Sequence, residues 1–183
     1  MFIDTHAHLN YRELRSELND LLSRAVDTGI EKILVPATDL SSSYEVIELV
    51  QKHNMLYGAV GIHPAELKHF DESHLVQIEM LTSESKIVAI GEIGLDYYWK
   101  PYNADLEKHV LRQQLKIAKH KNLPVILHNR ESSVDLITII EKEYENGKLK
   151  GQFHSFSGDA KMAKRCVDMG FYISFTGNIT YKP

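Results

Sequence analysis

Near the N-terminus the run FIDTHAHL places His6 and His8 one residue apart. Residues i and i+2 of a strand point to the same side, so two such imidazoles can bind one metal ion. Two polar strand-end residues hydrogen-bonded to backbone would give the same spacing. Asp4, just before them, fits either an outer partner that orients an imidazole or a turn residue. The run Gly91-Glu92-Ile93-Gly94-Leu95-Asp96 is the second signal. Glu92 closes a hydrophobic stretch, where an unpaired carboxylate is costly. A metal removes that cost, and one carboxylate can bridge two ions; a salt-bridged structural glutamate is the alternative. Gly91 and Gly94 leave room for close approach around it, and Asp96 fits a cap, a structural hydrogen bond or an outer role in the centre.

His128 and His154 each close an apolar run, in VILHNR and GQFHSFSG. Either one alone reads as a satisfied core histidine. Both at equivalent strand ends, beside Glu92 and the His6/His8 pair, point to metal ligation. His63 in GIHP is held by the turn at Pro64 and suits contact with a substrate phosphate. Arg130, two residues past His128, fits a bidentate phosphate contact or a rim salt bridge. Tyr97-Tyr98-Trp99 can stack on a base or pack over the site. Of the 10 histidines, His53, His69, His74, His109 and His120 sit in polar surroundings and read as surface residues.

These side chains need a scaffold. Apolar, β-rich runs at Phe2–Thr5, Lys32–Pro36, Leu56–Val60, Ile87–Glu92, Val125–His128, Gly151–His154 and Phe171–Ser174 read as strands. Between them, helical periodicity covers Arg12–Thr28, a segment after the capping serines Ser41–Ser43, Ser73–Thr82, Ala104–Lys121, Ser133–Tyr144 and Asp159–Met169. Gly29, Gly147 and Gly170 suit helix stops. This βα alternation implies a parallel sheet with helices outside it. An open doubly wound sheet would spread the strand-end residues along a line. A barrel gathers them at one mouth, where active sites lie, so the expected fold is a TIM-type (β/α)8 barrel. The pattern yields 7 strands before the chain stops at Pro183. A full barrel takes about 250 residues. The sequence is therefore read as one domain, residues 1–183, incomplete at the C-terminal strand and helices, with its first and last strands left as edges.

The 183 residues are 43% hydrophobic and 25% charged, the balance of a soluble globular domain with a sizeable core. No apolar run is long enough to span a membrane, and the polar N-terminus does not read as a signal peptide. The single cysteine, Cys166, cannot form an internal disulfide and reads as a buried inert thiol, so a reducing, cytoplasmic setting is expected. The net charge of −4 argues against gripping DNA through a general field. Any attraction must be local, through metal ions and a few nearby cations.

The segments DTHAHL (4–9), VGIHP (60–64), AIGEIGLDYY (89–98), LPVILHNRES (123–132), GQFHSFSG (151–158) and MGFYISFTGNITYK (169–182) together resemble the TatD family of metal-dependent hydrolases, among the amidohydrolase-like barrels. The resemblance implies two adjacent divalent ions (Mg²⁺, Zn²⁺, Mn²⁺ or similar) and hydrolysis of phosphodiester bonds in DNA by a metal-activated water. It implies that His6 and His8 hold the first ion, Glu92 bridges, and His128 and His154 hold the second. His63 matches a substrate-associated histidine. The family pattern also carries an acidic ligand on strand eight, which this sequence does not reach. Four histidines favour a transition metal, because Mg²⁺ prefers oxygen donors. Two other readings stand beside this one. A small-molecule amidohydrolase or phosphoesterase would use the same cage, although no lysine is placed as a carbamylated bridge. An inactive truncated fragment is the other.

Overall fold

The computed structural model describes residues 2–144 and 148–181. Gly147, Lys182 and Pro183 lie outside these residues. Seven strands form one sheet in chain order, every neighbouring pair parallel: β1 (Phe2–Asp4), β2 (Ile30–Pro36), β3 (Leu56–Val60), β4 (Ile87–Asp96), β5 (Val125–Arg130), β6 (Gly151–Phe153) and β7 (Tyr172–Ile173). The helices between them are α1 (Arg12–Arg15), α2 (Leu18–Asp27), α3 (Leu40–Lys52), α4 (Glu72–Leu81), α5 (Ala104–Lys121), α6 (Ser133–Glu143) and α7 (Ala160–Asp168). Of the residues of β4 only Val88 is exposed, so the strand is covered on both faces, as parallel strands are.

Three local details differ from the sequence expectation. The helix expected over Arg12–Thr28 breaks at Ser16 and Glu17. Four-residue α1 buries nothing, while α2 turns Leu18 and Leu22 into the core and ends at Gly29, whose φ is +85°. The cap of α3 is Asp39 rather than a serine. Its side chain accepts from the Ser42 N–H at 2.7 Å while Ser42 Oγ accepts from the Asp39 N–H at 2.8 Å, a reciprocal capping box. Finally, β4 and β5 run past Glu92 and His128, because they keep pairing through Asp96 and Arg130. Glu92 and His128 therefore lie inside strands rather than at strand ends.

The sheet curls. In a flat sheet β1 and β6 would stand about 24 Å apart at ordinary strand spacing. Here Gln152 Nε2 on β6 donates to the Thr5 carbonyl at 2.9 Å, and the rings of His6 and His154 stack. The result is an open TIM-type barrel with its strand mouths facing one region. Inside its floor Leu34, Ala59, Ala89 and Ile126 pack together, while the larger apolar core fills the layer between strands and helices. Among the described residues β1 pairs only with β2 and β7 only with β6, and Phe2, Ile3 and Tyr172 are exposed. No described helix is long and apolar enough to cross a membrane.

Gly94 is a position where the backbone needs glycine. It pairs with His128 across β4 and β5, its φ is +152°, and a β-carbon there would lie 2.0 Å from the His128 carbonyl oxygen. Substituting Gly94→Ala should destabilise the fold by about 3 kcal/mol or more, read as a lowered midpoint in urea unfolding. A midpoint like that of the wild type would refute the close approach. Cys166 is fully buried, and burial pushes its thiol up to about 11. It should resist a thiol reagent in the native protein at pH 8 and react at once after denaturation.

Candidate metal centre

Glu92 is 3% exposed, and its two carboxylate oxygens face different histidines. Oε2 lies 3.2 Å from His6 Nε2 and 3.3 Å from His8 Nε2, and those two nitrogens are 3.1 Å apart. Oε1 lies 3.0 Å from His128 Nδ1 and 3.8 Å from His63 Nε2. His6, His8 and Glu92 thus form one candidate metal-ligand group, and His63, Glu92 and His128 form another. His154 lies against the first group: its ring stacks on that of His6, with centroids 3.3 Å apart and planes 9° apart.

Backbone groups place Glu92, His8 and His63. The Glu92 N–H donates across the barrel to the Ala37 carbonyl at 2.8 Å. His8 Nδ1 donates to the Pro36 carbonyl, 3.1 Å away, which leaves the lone pair on Nε2, the nitrogen that faces Glu92. The Ala65 N–H donates to His63 Nδ1 at 3.1 Å, so a neutral His63 carries its proton on Nε2. The loop bearing His63 is clamped from α5. Buried Gln114 accepts from the Ile62 N–H at 2.7 Å and donates to the Ile62 carbonyl at 3.0 Å. Asp4 serves the turn, accepting from the His6 N–H at 3.0 Å.

Asp96 and Glu107 support His128 from behind. Asp96 Oδ2 lies 2.9 Å from His128 Nε2, and its Oδ1 accepts from the Tyr98 N–H. The Asp96 N–H in turn donates to Glu107 Oε2 on α5 at 2.9 Å. Glu107 and Gln114 were not read as functional from the sequence. Their signal was polar residues on the apolar face of α5, beside Val110, Leu111 and Leu115, where such side chains need dedicated partners. Arg130 is exposed on β5, and its guanidinium carbon lies 3.7 Å from the Tyr98 ring centroid and 5.3 Å from that of Trp99. Among the described residues no carboxylate pairs with it.

The electrostatics divide the histidines. Burial works against the charge on Glu92, yet hydrogen bonds from His128, His6 and His8 hold its carboxyl well below the usual range. Burial also opposes an imidazolium at His128, but the bonds to Asp96 and Glu92 outweigh it and push His128 up to about 9. For His63, burial and then the neighbouring His128 pull the value down to about 4. His154 is lowered to about 4 by burial and by His6.

The donor set suits a divalent ion. In a tetrahedral shell with bonds of about 2.05 Å, neighbouring donors stand about 3.3 Å apart. The His6, His8 and Glu92 atoms are separated by 3.1, 3.2 and 3.3 Å. His6 Nδ1 and His154 Nδ1 are buried without a hydrogen-bond partner, a cost that ordinary core histidines avoid.

A curled parallel barrel with four histidines around one buried carboxylate is the architecture of a metal-dependent barrel hydrolase. The profile of the TatD-related DNase family matches residues 3–183, and the chain belongs to that family. It is 38% identical over 182 residues to the uncharacterized metal-dependent hydrolase YabD of Bacillus subtilis, covering 100% of this chain and 71% of that protein. It is 33% identical to the deoxyribonuclease Tat-D of Schizosaccharomyces pombe, over 88% of this chain and 55% of that one. The crystal structure of the Escherichia coli TatD homologue YjjV superposes with a TM-score of 0.92 at 35% identity, covering 98% of this chain and 70% of that one.

In the metal-free protein the shifted histidines set a pH window. His128 is raised, so the stability it contributes is complete below its ordinary 6.5 and is lost as pH climbs through about 9. His63 and His154 are lowered, so theirs is complete above 6.5 and is lost as pH falls through about 4. Thermal melts in chelator should peak near pH 6.5, and Asp96→Asn should shrink the alkaline loss. An unchanged alkaline limb in that variant would overturn the pairing of Asp96 with His128.

Proposed function

We propose that this chain is a divalent-metal-dependent phosphodiesterase that hydrolyses DNA. The observation that carries the reading is the division of Glu92, one oxygen facing His6 and His8 and the other facing His128 and His63. Family membership and the deoxyribonuclease name of the fission-yeast relative support the substrate class.

In this reading His6, His8 and Glu92 would hold one ion and Glu92 with His128 a second, with His154, whose ring stacks on His6, assigned to the second ion by the family resemblance rather than by a contact. Bound divalent ions supply Lewis acidity that activates water near neutral pH and offsets charge on the phosphoryl oxygens. The protein's own groups do the rest. Glu92 is kept anionic by its histidines and needs no proton removed at neutral pH. His63, neutral and protonated on Nε2, offers a hydrogen-bond donor toward a phosphoryl oxygen. Asp96 fixes the His128 ring, and Arg130 at the rim adds a cation for the phosphate chain. The histidine-rich donor set favours Zn²⁺ or a similar transition metal over Mg²⁺. A reducing, cytoplasmic setting belongs to the same reading, supported by the single cysteine held as a buried free thiol.

The test is Glu92→Gln assayed with Mn²⁺ or Zn²⁺ on a single-stranded oligonucleotide, beside lactone and amide substrates. Hydrolysis of the oligonucleotide should fall by more than about 100-fold, beyond the usual cost of losing only an outer partner of a metal site. Bound metal by elemental analysis should fall with it, while circular dichroism stays native. Strong hydrolysis by a folded Glu92→Gln protein would sink the bridging role. Turnover of lactones or amides with none on DNA would sink the substrate class.

A further inference from the structure

The loop after β4 carries an arrangement that packing does not explain. Tyr97 and Tyr102 stack at 4.8 Å, and Tyr97 Oη donates to Asp135 at 2.9 Å, so this pair anchors the loop to α6. Tyr98 and Trp99 are not needed for that anchor. They remain 44% and 60% exposed, edge to face at 4.9 Å and 86°. The Arg130 guanidinium carbon lies 3.7 Å from the centre of the Tyr98 ring, with no carboxylate partner among the described residues. Two exposed aromatic rings beside a cation with no carboxylate partner among the described residues form a surface able to stack a flat, anionic molecule.

Its placement ties it to the candidate metal centre. Asp96 pairs with Arg130 across β4 and β5, two residues past the Gly94–His128 pair. At ordinary strand rise, Arg130 is about 7 Å from His128 along β5 and points to the same side. The Tyr98 N–H is bonded to the Asp96 carboxylate whose other oxygen holds His128. A ligand on the rings would therefore lie one step from whatever the centre holds.

The geometry points to Tyr98, Trp99 and Arg130 as a stacking platform for an unpaired nucleobase next to the scissile phosphate of single-stranded DNA. This inference rests on the phosphodiesterase reading and assigns the rim residues that would position its substrate. Every base offers a flat face to an aromatic ring, and the guanidinium can hold the adjoining phosphate. A base inside a duplex has both faces covered, so the platform selects unpaired ends. On a chain of net charge −4, a local cation of this kind is where a polyanion can be held. In this role the three side chains position substrate and do not touch the reacting atoms.

Trp99 is the only tryptophan, so its fluorescence reports on the platform directly. The full chain, chelated to prevent cleavage, is titrated with an oligothymidylate and with an abasic strand of equal length and charge. Saturable quenching by the oligothymidylate alone is expected, and Arg130→Gln should weaken binding by about tenfold. No quenching, or equal quenching by the abasic strand, overturns the platform. In steady-state hydrolysis with metal restored, Trp99→Ala should raise KM for the oligonucleotide by about tenfold with kcat little changed, and Trp99→Phe should restore it. Unchanged KM in Trp99→Ala overturns the platform while leaving the nuclease reading intact. Quenching without hydrolysis of any phosphodiester refutes the nuclease reading, and with it the placement beside a scissile phosphate, while base stacking on the rings stands.

Discussion

A carboxylate held almost out of water at the mouth of an apolar barrel must be compensated, and much of the local structure follows from how Glu92 is compensated. Its neighbours come from three separate stretches of chain: His6 and His8 after β1, His63 after β3, and His128 on β5. No local segment could supply them together. The strands must be parallel, so that their C-terminal ends meet, and the sheet must curl, so that β1 reaches the side of β6.

Around that carboxylate, backbone and helix groups decide which nitrogen of each imidazole is available. The Pro36 carbonyl leaves His8 a lone pair where it faces Glu92, while the Ala65 N–H leaves His63 a proton there. Identical side chains thus take opposite hydrogen-bonding roles within one site. The line from Glu92 through His128 and Asp96 to Glu107 carries the same control outward to α5, whose Gln114 also clamps the loop of His63. One long helix therefore sets both histidines on the Oε1 side, and the site's geometry depends on how α5 packs.

The rim works on a different principle. The carboxylates of the centre are buried and paired with histidines, whereas Arg130, Tyr98 and Trp99 are exposed at the edge. Cation and ring faces at a barrel rim hold flat, charged molecules weakly and without deep burial.

The sequence by itself determined the alternation of strands and helices, because apolar period and helix caps are local properties of the chain. It placed Leu56–Val60 and Ala104–Lys121 at their observed bounds. It also singled out His6, His8, His63, Glu92, His128 and His154, since ligand-type residues closing apolar runs stand out against their neighbours. It missed Glu107 and Gln114, whose partners lie 11 and 52 residues away. Only the tertiary structure decided who meets whom. It set His63 beside His128 on one oxygen of Glu92 and laid His154 on His6, because these contacts depend on the curl of the sheet. That curl is the sum of small twists over many strand pairs, and no short stretch of residues records it.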